Sequence, residues 1–66
     1  MNIFLNGIEI QLDTGTTLKQ LIEKEGMSGK RLAAEVNRDI ITKSDHINFV
    51  LNDGDKVEIV HAIGGG

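Results

Sequence analysis

A tight hairpin near the beginning of the chain constrains the fold more than any other feature of the sequence. Asn6-Gly7 lies between two short apolar runs, residues 3–5 and 8–12, and the second run alternates apolar and polar side chains. Asn and Gly both tolerate positive φ, which a two-residue turn requires in order to match the twist of its strands. The sequence therefore predicts an antiparallel strand pair. We expect its core residues to be Ile3, Leu5, Ile8, Ile10 and Leu12.

A single amphipathic helix is predicted after the hairpin. Leu18, Leu21 and Ile22 recur at helical spacing and form one apolar face. A helix this short is not stable alone in water, so this face must pack on another element. We expect it to cover one face of a small sheet.

Both ends of the predicted helix carry recognisable signals. Thr17 and Gln20 have the spacing of a capping box, in which each side chain satisfies a backbone N–H of the first turn. Gly26 is expected to end the helix in a left-handed conformation, after which Met27 would pack back onto the apolar face.

The remaining chain indicates strands separated by turns. Residues 32–37 alternate as a third strand, residues 40–41 predict a very short one, and residues 43–46 read as a loop. After the turn at 53–55, residues 56–63 form the longest β-type run, which we place centrally because an edge strand normally carries more charge. The expected order is β-β-α-β-(β)-β, an α+β fold. Further core candidates are Ala34, Val36, Val57 and Ile59.

The composition excludes several classes of function. Sixty-six residues without cysteine give one small core and no thiol chemistry, disulfide or iron–sulfur cluster. The net charge of −3 and the scattered Lys and Arg argue against nucleic-acid binding, as do only two aromatic residues, Phe4 and Phe49. Apolar runs are short, and the first residues of the sequence lack the charged region and the long apolar region of a signal peptide. We therefore expect a cytoplasmic protein with neither nucleic-acid nor membrane partners.

Side-chain chemistry is sparse. His46 and His61 are fifteen positions apart, and neither has a carboxylate-rich cluster around it, so we interpret both as surface histidines and expect no metal. Asp53-Gly54-Asp55 lacks the alternating acidic ligands of a calcium loop and is interpreted as a turn. No serine or threonine has the spacing of a catalytic triad, so we expect no catalytic side chain.

The glycines that close the sequence are not needed for a fold. Residues 64–66 are all glycine, which loses more entropy on ordering than any other residue, so we expect one small folded domain at 1–63 and a flexible tail at 64–66. Three extended residues reach about 10 Å. Because no Cβ obstructs them, such a tail can enter a narrow channel of a partner and present its last carbonyl carbon. A frayed end without function is the alternative.

Together these features resemble the ThiS family of sulfur carriers, which are ubiquitin-like β-grasp proteins. The resemblance rests on Asn6-Gly7 in the hairpin, Asp53-Gly54-Asp55 before the last strand, and the sequence from Val57 to Gly66. Its most specific part is the terminal pair Gly65-Gly66, and the additional Gly64 is the departure from the family pattern. The resemblance implies a small mixed sheet packed on one helix, with the first and last strands adjacent at its centre.

The resemblance also implies a reaction cycle. An E1-like adenylyltransferase (ThiF) would adenylate Gly66 with ATP and magnesium, and sulfur from a donor such as a cysteine desulfurase would replace the adenylate to give a thiocarboxylate. Thiazole synthase (ThiG) would then take the sulfur while Gly64 and Gly65 lie in its active site. The chain itself would be a co-substrate that binds no cofactor, and not an enzyme.

We expect partners to contact the apolar end of the last strand. This surface would comprise Val60, Ala62 and Ile63, with Phe4 or Phe49 beside them. The alternative is that Val60 and Ile63 belong to the core. Strand alternation places Val57, Ile59, His61 and Ile63 on one face and Val60 and Ala62 on the other, and one helix cannot bury both faces.

Three other functions stay open at this point. The small subunit of molybdopterin synthase has the same terminal pair but usually a longer chain. A ubiquitin-type modifier would end in an amide to a target lysine. A β-grasp binding module would carry inert glycines.

Overall fold

A computed structural model describes residues 1–28 and 31–61 of the chain. The sheet has the order β2-β1-β5-β3-β4, in which β1 and β5 are parallel and the other neighbours are antiparallel. The predicted order, the mixed sheet and the central last strand are confirmed. The elements are β1 (Asn2–Leu5), β2 (Ile8–Gln11), α1 (Leu18–Lys24), β3 (Leu32–Val36), β4 (Asp39–Ile41), a 3₁₀ helix (Lys43–Asp45) and β5 (Lys56–His61).

The predicted capping box starts α1. The Oγ1 atom of Thr17 accepts a hydrogen bond from the Gln20 N–H at 3.2 Å, and the Gln20 Oε1 accepts one from the Thr17 N–H at 2.9 Å. These two bonds satisfy backbone donors that have no partner within the helix. The beginning of the helix is therefore fixed by local sequence.

A glycine turn closes the same helix. Gly26 has φ of 73°, its N–H donates to Glu23 O, and the Met27 N–H donates to Ile22 O, both at 3.0 Å. This pair of bonds is the Schellman motif, which satisfies carbonyls of the last helical turn. It turns the chain so that Met27 packs against the core, as the sequence predicts.

The core lies between α1 and one face of the sheet. Most predicted core residues are buried there, but Ile8 is 67% exposed, so its assignment to the core is wrong. Ile8 directly follows the turn on an edge strand, beyond the cover of the seven-residue helix. Ile10 is half-buried against the core. The buried set is Ile3, Leu5, Leu12, Leu18, Leu21, Ile22, Ala34, Val36, Leu51, Val57 and Ile59.

His46 is buried, which corrects the prediction that it is a surface residue. Only 6% of it is exposed, and its Nε2 lies 2.9 Å from Ile41 O, a geometry in which the ring N–H donates to that carbonyl. The segment before it, predicted as loop, is the 3₁₀ helix Lys43–Asp45. His46 O also accepts the Lys19 N–H at 3.0 Å, so this segment is fastened to the start of α1.

The turn between β3 and β4 contains a strained residue. Asn37 and Arg38 both have positive φ, 52° and 74°, which is the geometry of a type I′ turn. Backbone strain in this left-handed region costs a residue with a Cβ about 1–2 kcal/mol. Glycine avoids this strain, but ordering its more flexible backbone costs about 0.5–1 kcal/mol in conformational entropy. Arg38→Gly should therefore stabilise the fold by about 0.5–1 kcal/mol, as measured by urea unfolding.

The other hairpin supplies the reverse substitution as a control. Asn6-Gly7 forms the same two-residue turn, with φ of 49° and 83°, and a Cβ at Gly7 would meet no atom within 4 Å. Gly7→Arg should thus destabilise the chain by a similar amount through backbone strain alone. Equal stability of the wild type and both variants would contradict the assignment of strain to Arg38.

Candidate functional site

Strand β5 carries the chain toward the glycine tail, and its neighbours hold it on both sides. On one side β3 pairs with it as far as Leu32 opposite His61. On the other side the β1 pairing includes Leu5 opposite Val57. Asn6 extends this attachment, because its Oδ1 accepts the Ile59 N–H at 2.9 Å and its Nδ2 donates to Ile59 O at 3.3 Å. The last described strand before the glycine tail is therefore hydrogen-bonded to neighbours on both sides.

The tail lies outside the described residues. The sequence assigns Gly66 as the modified residue, Gly64 and Gly65 as the inserted segment, and Ala62 and Ile63 as part of the partner surface. All five positions follow His61, the last described residue of β5. These assignments stay predictions.

His61 lies at the root of the tail with an unsatisfied polar atom. Its Nε2 is buried and has no hydrogen-bond partner among the described residues. The ring lies on the core side of the sheet, on the same face as Val57 and Ile59, as alternation predicts.

The face of the sheet opposite α1 is exposed and partly apolar. Val60 is 63% exposed, so the alternative that it belongs to the core is wrong. It pairs with Ala33, while Ile40 lies on the same face and is 73% exposed. We call this surface the open face and define it by Phe4, Ala33, Ile40 and Val60. Exposed apolar groups on one sheet face mark an interface more often than isolated ones do.

The structure places the two aromatic candidates on different sides of the sheet. Phe4 lies on the open face, 36% exposed, in register with Lys56 of β5. Val60 comes four residues after Lys56 in β5, so it lies about 13 Å farther along the strand than Phe4. Phe49 instead packs against the core, and its carbonyl accepts the Leu18 N–H at 2.8 Å. The pair Val60 and Ala33 is thus the apolar centre nearest to the tail.

Sequence reasoning missed Ala33 and Ile40 as members of the open face. The alternation of β3 carried the signal for Ala33, because Ala34 and Val36 were correctly placed in the core. Ile40 gave no such signal, since its orientation follows only from pairing with Glu35.

Side-chain chemistry is sparse in the described part of the chain. Within residues 1–28 and 31–61, no three His, Asp or Glu side chains come together as a metal site. No helix in these ranges has the length and hydropathy needed to cross a membrane. The candidate functional features of the described residues are therefore surfaces for binding: the open face, the surface grooves and the strand that leads toward the tail.

A five-stranded mixed sheet with parallel central strands and one covering helix defines a ubiquitin-like β-grasp protein. The crystal structure of a thiamine biosynthesis protein (ThiS) from Geobacter metallireducens superposes on this chain with a TM-score of 0.84, at 23% identity and with full coverage of both chains. The sequence model of the ThiS family matches residues 3–66. This chain belongs to the ThiS family.

Two kinds of relatives accompany this match. The sulfur carrier protein ThiS of Bacillus subtilis is 38% identical over 64 residues, which cover 94% of this chain and 96% of that protein. Thiazole synthases of Paramagnetospirillum magneticum and Magnetococcus marinus are 38% and 36% identical over 66 residues. The chain spans only 20% of the length of these two synthases.

Proposed function

We propose that this chain is a cytoplasmic sulfur carrier of thiamine biosynthesis, and that the carboxylate of Gly66 is the group that carries the sulfur. The observation that carries the proposal is membership in the ThiS family over residues 3–66, a match that includes the glycine pair. The strand geometry supports it, because β5 is held at the centre of the sheet and leads directly toward the tail.

The chemistry requires activation of the tail. A free carboxylate is a poor acyl donor, so an E1-like adenylyltransferase of the ThiF type first transfers AMP from ATP to Gly66 and releases pyrophosphate. The terminal sulfur of a persulfide on a donor such as a cysteine desulfurase then attacks the acyl carbon, and AMP leaves. A second thiol attacks the S–S bond of the resulting acyl disulfide, so that a disulfide forms on the donor side and the acyl group keeps the outer sulfur. The product is a thiocarboxylate at Gly66. ATP and magnesium belong to the activating enzyme, and the carrier is a co-substrate.

The next partner is a thiazole synthase of the ThiG type. Two relatives that carry that name contain a segment similar to this whole chain, which fits a carrier and a synthase that act together. In our proposal Gly64 and Gly65 enter the synthase, where the lack of Cβ atoms allows close approach of protein backbone. Sulfur passes to the thiazole precursor, and the carrier returns to its carboxylate form.

The open face is the surface on which we expect these partners to dock. Val60→Glu places a charge on an apolar contact and should weaken binding to the activating enzyme by about tenfold or more. Its melting temperature should hardly change, because Val60 is already 63% exposed. Titration calorimetry with the purified activating enzyme measures this effect.

Ile8→Glu is the matched control for the open face. Ile8 is 67% exposed and receives the same new side chain and charge, but it lies on the other side of the sheet. The affinity of the Ile8→Glu variant for the activating enzyme should match that of the wild type. Equal losses in the two variants would indicate a general charge effect and would contradict docking through the open face.

Growth rescue tests the pathway. A bacterial strain that lacks its own ThiS requires thiamine, and expression of this chain should restore growth without thiamine. A parallel strain that lacks the small subunit of molybdopterin synthase should not be rescued. Rescue of the second strain alone, or a ladder of protein conjugates in either strain, would contradict the thiamine pathway.

A further inference from the structure

A groove with cationic and apolar lining lies on the helix side of the sheet. It has a volume of about 650 Å³ and is bounded by α1, the start of β3 and the 3₁₀ helix. We call it the cationic groove. Its defining residues are the cations Lys19, Arg31 and Lys43 and the apolar side chains Ile22, Met27 and Ile47.

The charge of this groove opposes that of the whole chain. The chain has ten acidic and seven basic residues and a net charge of −3. None of the described residues that line the groove is acidic, whereas three are cations. Residues distant in sequence are thus gathered into one positive region, and a positive region with apolar walls complements an acidic partner that also presents apolar groups.

The groove lies next to the root of the tail but away from the open face. Leu32 lines the groove and pairs with His61, the last described residue of β5. Leu32 shares the core side of the sheet with Ala34, whereas Val60 lies on the opposite side. A partner in the groove would therefore leave the open face free while lying beside the segment that leads into the tail.

We propose that the cationic groove docks a short acidic segment of a partner protein. An apolar side chain of that segment would sit against Ile22 and Ile47, and its carboxylates would face Lys19 and Lys43. Ile47 is 56% exposed in the free chain, so docking would remove exposed apolar surface from water. The volume lies within the range of about 300–1,000 Å³ that is typical of binding pockets, which suits a few residues rather than a domain surface. This binding requires neither ATP nor sulfur.

Selection from a random peptide library displayed on phage, with the full chain as bait, tests the proposal. Selected peptides should be enriched in Asp and Glu next to Leu, Ile or Phe. Their affinity should fall by about tenfold or more in the double variant Lys19→Glu, Lys43→Glu, and also as the salt concentration rises from 0.1 M to about 1 M. Arg31 stays unchanged because it already interacts within the chain.

The double variant Lys24→Glu, Lys56→Glu is the control with the same net charge. Neither residue lines the groove, so acidic peptides should bind this variant about as well as the wild type. Amide chemical shifts of the unmodified protein provide a measurement that does not depend on variants. Adding the selected peptide should change the amide chemical shifts of Ile22, Lys43 and Ile47, and it should leave those of Phe4 and Val60 unchanged.

Three outcomes would overturn the proposal. The first is a selection that yields no binders or binders without acidic enrichment. The second is an equal loss of affinity in both double variants. The third is a set of shifted amides on the open face instead of around the groove.

Discussion

Ile3→Ala should leave most molecules unfolded at room temperature, whereas the same substitution at Ile8 should hardly change stability. Ile3 is fully buried in β1, next to the central strand, and removal of such a side chain costs about 2–5 kcal/mol. A single core in a domain of this size supplies only about 3–5 kcal/mol of net stability. The loss is therefore comparable to the whole free energy of unfolding.

Ile8 is the control because it has the same side chain and lies in the adjoining strand. It is 67% exposed, and substitutions at exposed positions usually change stability by less than about 0.5 kcal/mol. Urea unfolding monitored by circular dichroism measures both variants. Equal losses, or a larger loss at Ile8, would contradict the account in which α1 covers Ile3 but leaves Ile8, on the same face of the hairpin, outside the core.

Removal of Gly66 should reduce thiazole formation at least about 100-fold in a reaction reconstituted with the activating enzyme, sulfur donor and thiazole synthase. Because residues 64–66 are all glycine, the shortened chain still ends in a glycine pair. The deletion therefore tests reach, since it draws the reacting carbon back by about 3.5 Å. A displacement of about 1 Å can already cost about 100-fold in rate.

Gly66→Ala separates the length of the tail from the shape of its last residue. This variant keeps the full reach and adds one methyl group beside the reacting carbon, so a loss here reports the narrowness of the partner's channel. Both variants should melt at the temperature of the wild type. Full activity of either variant, or a melting temperature lowered by several degrees, would contradict the role given to the tail.

Local sequence signals predicted most of the fold. The turn at Asn6-Gly7, the capping box at Thr17 and the end of the helix at Gly26 each depend on interactions between residues close in sequence. Such signals are visible without any knowledge of tertiary structure. The place of the last strand followed from its low charge and from the family resemblance.

The features that sequence reasoning missed depend on contacts between distant segments. Leu51, only 2% exposed, is buried because the segment around it pairs with the residues just before α1, where the Leu51 N–H donates to Thr16 O at 2.9 Å. His46 is buried by the same arrangement. Ile8 has the alternation of a core residue, but the extent of the helix determines which sheet positions are covered.

Of the two proposed binding surfaces, one could be predicted from local sequence and the other depends on contacts between distant segments. Alternation along β5 predicts that Val60 points away from Ile59, and the structure confirms this orientation. The cationic groove could not be predicted, because Lys19 and Lys43 belong to different elements and meet only after folding. Basic residues that are scattered in the sequence therefore do not imply a uniform surface charge.

Intact-protein mass spectrometry is the most direct test of the central claim that the last carbonyl carbon carries the sulfur. The chain is incubated with ATP, magnesium, the activating enzyme and a sulfur source, and the tail peptide is then sequenced by fragmentation. The account predicts that one oxygen is exchanged for sulfur at Gly66, and that omission of ATP prevents the exchange. An unchanged mass with an active enzyme present, or sulfur on any other residue, would contradict it.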